Sequence, residues 1–437
     1  MADFKNLVVL GDSMSDIGNK WTWPTGELGR LLNALSLGGM RVNETGRFSD
    51  GKNWTDFLVE WATGESIMWG NRDVTLAASS QHRSLTSGAE MWVNDWEAQP
   101  QAKFDAEAYL KELEERGKSG LSASTAPASA KGQPPKVLRY VNYSMGGAIA
   151  TRDWKPAAGA LTTLDEQVES YVWQRKNYTG RFDGPTLHVI WIGLNDFVTA
   201  KRPDYPASAN LPTTGVYADW LAWQQNHPGE FKDLSGKGAF PAVAEIQAGV
   251  EKINAAFPDQ AQGHHFMVID LPSVYNACRF MENMRQDTAK KVEEAKNIEP
   301  VVVSYNKLLE NLLANWPAGP HAPQPDHARY VRMNRWMQEI SVDLAGWGLT
   351  KDFQDHGVPV FYTPPLPGQP QKDPALASRN RITTSDLGHP SEMVYRLIAR
   401  YFTTQVMKAG HTLGRLDAAT WRTHAPDQHR PFGLVGD

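Results

Sequence analysis

Four stretches hold the residues whose types could do chemistry together. "GDSMSDIGN" (11–19) places Ser13 directly after the apolar run Leu7–Leu10, and "NYSMGGAIA" (142–150) holds Gly146 and Gly147. "IGLND" (192–196) holds Gly193 and Asn195, and "SDLGHP" (385–390) holds Asp386 and His389. Acyl transfer needs a nucleophile, a base to take its proton, a group to orient the base, and donors for the oxyanion. Ser13 can supply the hydroxyl and His389 the base. Asp386, just upstream in a tight turn, can accept a hydrogen bond from the other imidazole nitrogen. The backbone N–H groups of Ser13 and Gly146, with the side-chain amide of Asn195, can line an oxyanion hole. A glycine suits that place because the backbone can approach a substrate closely without a Cβ.

Each residue also has a plain structural reading. Ser13 and Asn195 can be turn or cap residues, and Gly146 a glycine of backbone geometry. Asp386 and His389 can form a turn leading into a helix, with Pro390 at its first position. Their joint occurrence, in this order and after these strands, is what favours chemistry.

The positioning elements follow from hydrophobic patterning. Five short apolar runs end in Gly, Asp, Asn or Pro: "NLVVLGD", "VLRYVNYS", "LHVIWIGLND", "HHFMVIDLP" and "VPVFYTPP". Helical patterns lie between most of them, over Trp54–Trp61, Pro241–Phe257, Val301–Trp316 and Ser391–Met407. Continuous rather than alternating apolar strands imply burial on both faces, and helical crossovers then imply a parallel α/β sheet. Ligands of such sheets bind beyond the carboxyl ends of the strands, where Ser13 stands. Residues 64–136, 198–240 and 317–357 read as insertions into one domain spanning 1–412. The first contains a charged helix over Ala102–Arg116 and the Ser/Ala/Pro/Gly-rich linker "GKSGLSASTAPASAKGQPPK". Residues 413–437 read as a polar tail on the surface.

Composition narrows the partners. Of 437 residues 41% are hydrophobic and 21% charged, with a net charge of -5, a globular balance that gives no reason to expect a nucleic-acid partner. The single cysteine, Cys278, excludes an internal disulfide, and neither a metal nor a cofactor is expected. "GHH" at 263–265 reads as the start of a strand rather than a metal pair. No apolar stretch approaches the length of a membrane span. The first strand begins too near Met1 for a signal peptide, which leaves a cytoplasmic protein, leaderless export, or a leader removed before this sequence begins. The motifs G-x-S-x-G, G-x-G-x-x-G after a strand, the P-loop and H-E-x-x-H do not occur. The sixteen tryptophans read as packing residues or as platforms for sugars or lipid chains.

The four stretches resemble the blocks of the GDSL or SGNH hydrolases, serine esterases and lipases that draw Ser, Gly, Asn and His from four segments. "GDSMSDIGN" resembles the first block in its lipase-like branch, "NYSMGGA" the second, "GLND" the third and "DLGH" the fourth. "GRFSDGKNWTDFL" (46–58) and "VSYNKLLENLL" (303–313) are similar to further segments of that branch. The second block reads Ser-Met where Ala-Val or Ala-Ser is commoner, and Ser385 replaces an aromatic residue often found before the final Asp. The resemblance implies a flavodoxin-like three-layer sandwich with about five parallel strands in the order 2-1-3-4-5. It also implies an ester hydrolase of lipase or phospholipase type, some members of which transfer acyl groups to alcohols. The catalytic residues would be Ser13, Asp386 and His389, with an oxyanion hole of Ser13, Gly146 and Asn195. The expected partner is an ester of a lipid or an acylated small molecule, with transient contact at a lipid surface. A carbohydrate O-acetyl esterase and a catalytically silent binding protein on the same scaffold are the competing readings.

Overall fold

A computed structural model describes residues 2–19, 47–49, 52–63, 83–84, 90–93, 138–151, 162–177, 184–198, 239–258, 263–277, 288–342, 388–414 and 416–418, and the single positions 222, 225, 226 and 421. The strands are β1 (Asp3–Phe4), β2 (Asn6–Gly11), β3 (Arg83–Ser84), β4 (Glu90–Val93), β5 (Arg139–Asn142), β6 (Thr186–Trp191), β7 (His264–Ile269), β8 (Ala328–Val331) and β9 (Thr412–Leu413). The helices are α1 (Trp54–Thr63), α2 (Leu164–Asn177), α3 (Leu194–Val198), α4 (Ala239–Ala256), α5 (Thr288–Ala314), α6 (Met333–Val342) and α7 (Glu392–Lys408).

Seven strands form one sheet in the order β3-β4-β5-β2-β6-β7-β8. All neighbours run parallel except β3 and β4. β2, β6 and β7 are buried along their whole length, as continuous apolar runs require when both faces are covered. Strand alternation shows how the helices divide between those faces. His188 of β6 meets Tyr171 of α2, whereas Trp191, three positions on and so on the opposite face, meets Trp54 of α1. Trp54 also packs on Phe402 of α7, while α4 packs against both α2 and α5. The result is a three-layer α/β arrangement.

The first four expected strands and four of the five expected helices are present among the described residues. β5, β2, β6 and β7 lie in the expected relative order. The place beyond β7 is taken by β8, inside the segment 317–357 that reads from sequence as an insertion. Only Val331 of its four residues is buried, so the strand lacks the apolar run by which the central strands announce themselves. The expected strand 358–365 lies outside the described residues, as do the 102–116 helix, the 117–136 linker and Cys278. β3 and β4 extend the opposite edge from within 64–136.

The C-terminal segment also departs from expectation. β9 pairs with β1 at the chain start, and Leu413, Leu416 and Trp421 are buried. Trp421 packs on Trp61 and donates its indole N–H to Thr404 Oγ1 at 3.0 Å. Three isolated apolar side chains in a polar stretch suffice to dock it, a pattern too sparse to read as an element.

Candidate active site

Ser13 stands where β2 ends. The backbone O of Asp12 accepts the N–H of Ser15 (3.1 Å) and its Oδ1 accepts the N–H of Met14 (3.0 Å), folding 12–15 into a turn that carries Ser13. The strand end beneath is clamped by Gln167 of α2. Its Oε1 accepts the N–H of Gly11 and its Nε2 donates to the Gly11 carbonyl, both at 2.8 Å. The Gly11 carbonyl also accepts the Met145 N–H at 3.1 Å, so Gln167 satisfies the Gly11 N–H and adds a second donor to its carbonyl. A Cβ on Gly11 would lie 2.6 Å from the Trp191 carbonyl oxygen, so the backbone there is packed too closely for any larger residue.

His389 arrives from the other end of the chain. Ser391 caps α7, its hydroxyl accepting the N–H of Val394 at 3.4 Å. The helix therefore begins at Glu392, and Pro390 precedes the cap rather than holding the first helical position. This places His389 Nε2 2.8 Å from Ser13 Oγ, both residues being buried. With Nε2 unprotonated, the hydroxyl donates to it. Asp386 lies outside the described residues.

The turn after β5 is tied to the Ser13 loop through buried polar side chains. Asn19 Nδ2 donates to the carbonyls of Asn142 and Ser144, both at 2.8 Å, and Asn142 Nδ2 donates to the Ser15 carbonyl at 2.8 Å. Asp16 is the centre of this lacing. Its Oδ1 accepts the N–H groups of Gly18 (2.8 Å) and Asn19 (2.7 Å), and its Oδ2 accepts the N–H of Gly146 (2.7 Å).

That last bond corrects the assignment of Gly146. Its N–H is committed to a carboxylate, and a Cβ there would sit 2.3 Å from the Phe48 ring. Position 146 is glycine because an aromatic ring occupies the side-chain space. The neighbouring Gly147 is different. It is the third residue of a turn closed by the Ala148 N–H on the Met145 carbonyl (2.9 Å), with φ +83°, a conformation that favours glycine. Gly147 is partly exposed, and neither its N–H nor that of Ser13 has a hydrogen-bond partner among the described residues.

Asn195 lies in α3, directly after β6, and its Nδ2 donates to the Ala148 carbonyl at 3.0 Å. The next residue, Asp196, accepts the N–H groups of Ala150 (2.8 Å) and Thr151 (3.0 Å) and the Thr151 hydroxyl. The two side chains hold the 148–151 segment against the end of β6. Tyr305 donates its hydroxyl to the Ile192 carbonyl at 2.8 Å, and Asn306 pairs with both the N–H and the carbonyl of Leu271 at 2.9 Å. α5 thereby fixes the carboxyl ends of β6 and β7.

No protein-family model and no curated protein matches this chain.

The electrostatics fit a dry site. Burial pushes the Asp12 carboxyl up to about 7; the Met14 N–H and His389 pull it down, and Asp196 and Asp16 push it further up. Burial likewise raises Asp196, against the bonds from Thr151 and Ala150. Burial thus disfavours the charged form of both carboxyls. Among the described residues no cluster of three or more His, Cys, Asp or Glu is arranged to hold a metal, and no helix is long and apolar enough to cross a membrane.

Gln167, Asp16 and Asp196 escape sequence reasoning because each acts on a backbone group far along the chain. Gly147 had a visible signal, being half of a Gly-Gly pair.

Proposed function

We propose that this chain is a serine ester hydrolase of the GDSL or SGNH type, acting on acyl esters of lipids or small molecules. The observation that carries the reading is the 2.8 Å contact between Ser13 Oγ and His389 Nε2, joining residues from opposite ends of the sequence at the carboxyl edge of a parallel sheet. Ser13 Oγ attacks the ester carbonyl carbon while His389 Nε2 takes its proton. The carbonyl oxygen gains the negative charge and meets the N–H of Ser13, the N–H of Gly147 and the Asn195 amide. As the tetrahedral adduct collapses, the imidazolium returns the proton to the departing alkoxide, leaving an acyl-serine and an alcohol. Water, or a second alcohol, then attacks the acyl-serine by the same route in reverse. Asp386 is assigned to orienting His389 from its place in "SDLGHP".

A fluorophosphonate probe tests the nucleophile. Intact protein should be labelled once, at Ser13, and Ser13→Ala should not be labelled. Full labelling of Ser13→Ala refutes the mechanism. Acyl esters graded by chain length, run beside phospholipids and acetylated sugars, then separate lipase, phospholipase and acetyl esterase activity.

A further inference from the structure

We infer that Phe48 is a positioning residue for the base, its ring wedged between the Gly146 backbone and the His389 imidazole so that Nε2 is held on Ser13 Oγ. The inference rests on the proposed serine-hydrolase reading and adds a component that the four sequence blocks do not contain.

The Phe48 and His389 rings lie with centroids 4.8 Å apart and planes tilted by 37°. On another side, Phe48 Cε2 and Cζ fill the space where a Gly146 Cβ would be. The ring is buried, with 7% exposure. An imidazole on a single χ1–χ2 pair swings readily unless something blocks its faces. Phe48 packs its ring, tilted, against the imidazole.

The wedge is itself held. Arg47 makes a buried two-point bond to Asp56, Nε to Oδ2 at 3.0 Å and Nη2 to Oδ1 at 2.6 Å. Asp56 also accepts the Asn53 N–H at 2.9 Å, while Asn53 Oδ1 accepts the N–H groups of Thr55 (2.9 Å) and Asp56 (3.2 Å), a reciprocal cap at the start of α1. Ser49 Oγ donates to the Lys52 carbonyl at 3.0 Å. Between these anchors the Phe48 carbonyl accepts the Tyr395 hydroxyl at 3.2 Å. Tyr395 belongs to α7, the helix that follows His389. Glu392, in the first turn of that helix, accepts the Lys52 N–H at 3.2 Å. The segment bearing the wedge and the segment bearing the base are thus fastened to each other on both sides of the ring contact.

The test measures the rate of fluorophosphonate labelling at Ser13 together with a thermal melt. Phe48→Ala should slow labelling by roughly 10- to 100-fold, since small misplacements of a reacting group cost up to about 10²-fold. In a His389→Ala background the same change should alter the residual rate by less than about twofold, because the effect passes through the base. Gly146→Ala should also slow labelling, since its methyl displaces the ring. Gly146 is outside the positive-φ region, so the backbone itself tolerates alanine. Phe48→Leu lacks the two ring atoms that the methyl meets. The pair Phe48→Leu with Gly146→Ala should therefore label faster than Gly146→Ala alone. Should Phe48→Ala fail to fold, Phe48→Leu and the pair decide the matter. An unlabelled wild type overturns the hydrolase reading and the inference with it. A labelled wild type with full-rate Phe48→Ala, or a pair no faster than Gly146→Ala, overturns the inference alone.

Discussion

Replacing Asn195 with alanine separates catalysis from architecture, because the side chain has a structural task whose cost can be sized. Its Nδ2 donates to the Ala148 carbonyl at 3.0 Å in a partly buried setting. Losing such a bond costs about 0.5–1.5 kcal/mol. In domains of 150–250 residues that corresponds to about 2–4 °C of melting temperature per kcal/mol, and this longer chain should shift less. The oxyanion role predicts a much larger effect on rate. Removing one donor from an oxyanion hole costs about 2.7–4 kcal/mol, or roughly 10²–10³ in kcat. The interaction strengthens as the carbonyl oxygen gains charge, so KM should move little. Asn195→Ala should therefore melt within a few degrees of wild type, bind ester nearly normally and turn over slowly. Steady-state hydrolysis of a short-chain p-nitrophenyl ester and a melt on the same preparation measure both quantities. A folded Asn195→Ala with wild-type kcat removes Asn195 from the mechanism and weakens the resemblance that pointed to it.

Three further outcomes follow from the same geometry. His389→Ala should lose on the order of 10³-fold or more in kcat, with Asp386→Asn severe but milder; an unchanged His389→Ala would make another group the base. Gln167→Leu removes both bonds to Gly11 and strands its buried N–H, so it should lower stability by about 1–3 kcal/mol and slow Ser13 labelling in the folded protein; a normal labelling rate would detach the clamp from the nucleophile. His264 is held down to about 3, first by burial and then by Arg175, so the unfolded chain binds a proton there that the folded chain refuses between about pH 3 and 6.5. Stability should rise with pH across that window, by at most about 1.4 kcal/mol per unit from this group, and His264→Asn should flatten the rise in urea unfolding at several pH values. An identical slope in the variant would show that the proton is taken up elsewhere.

The sequence by itself determined four inner strands of the sheet. β2, β5, β6 and β7 are legible because strands buried on both faces are apolar runs, each stopped by the Gly, Asp or Asn that opens a turn. The four helices are legible from their apolar stripes, and Ser13 and His389 because each stands at the junction of such elements. Only the tertiary structure decided which backbone groups remain for chemistry. Gly146 and Gly147 are adjacent and alike in sequence, yet the Gly146 N–H is taken by Asp16, 130 positions away. No local pattern carries that information, since a hydrogen bond depends on distance in space and not on separation along the chain. The same holds for Phe48, whose ring explains both the missing Cβ at Gly146 and the face presented to His389. β8 and β9 were hidden for a related reason. A short strand at a sheet edge is stabilised by its neighbour's N–H and carbonyl groups, and backbone pairing leaves little trace in the side chains.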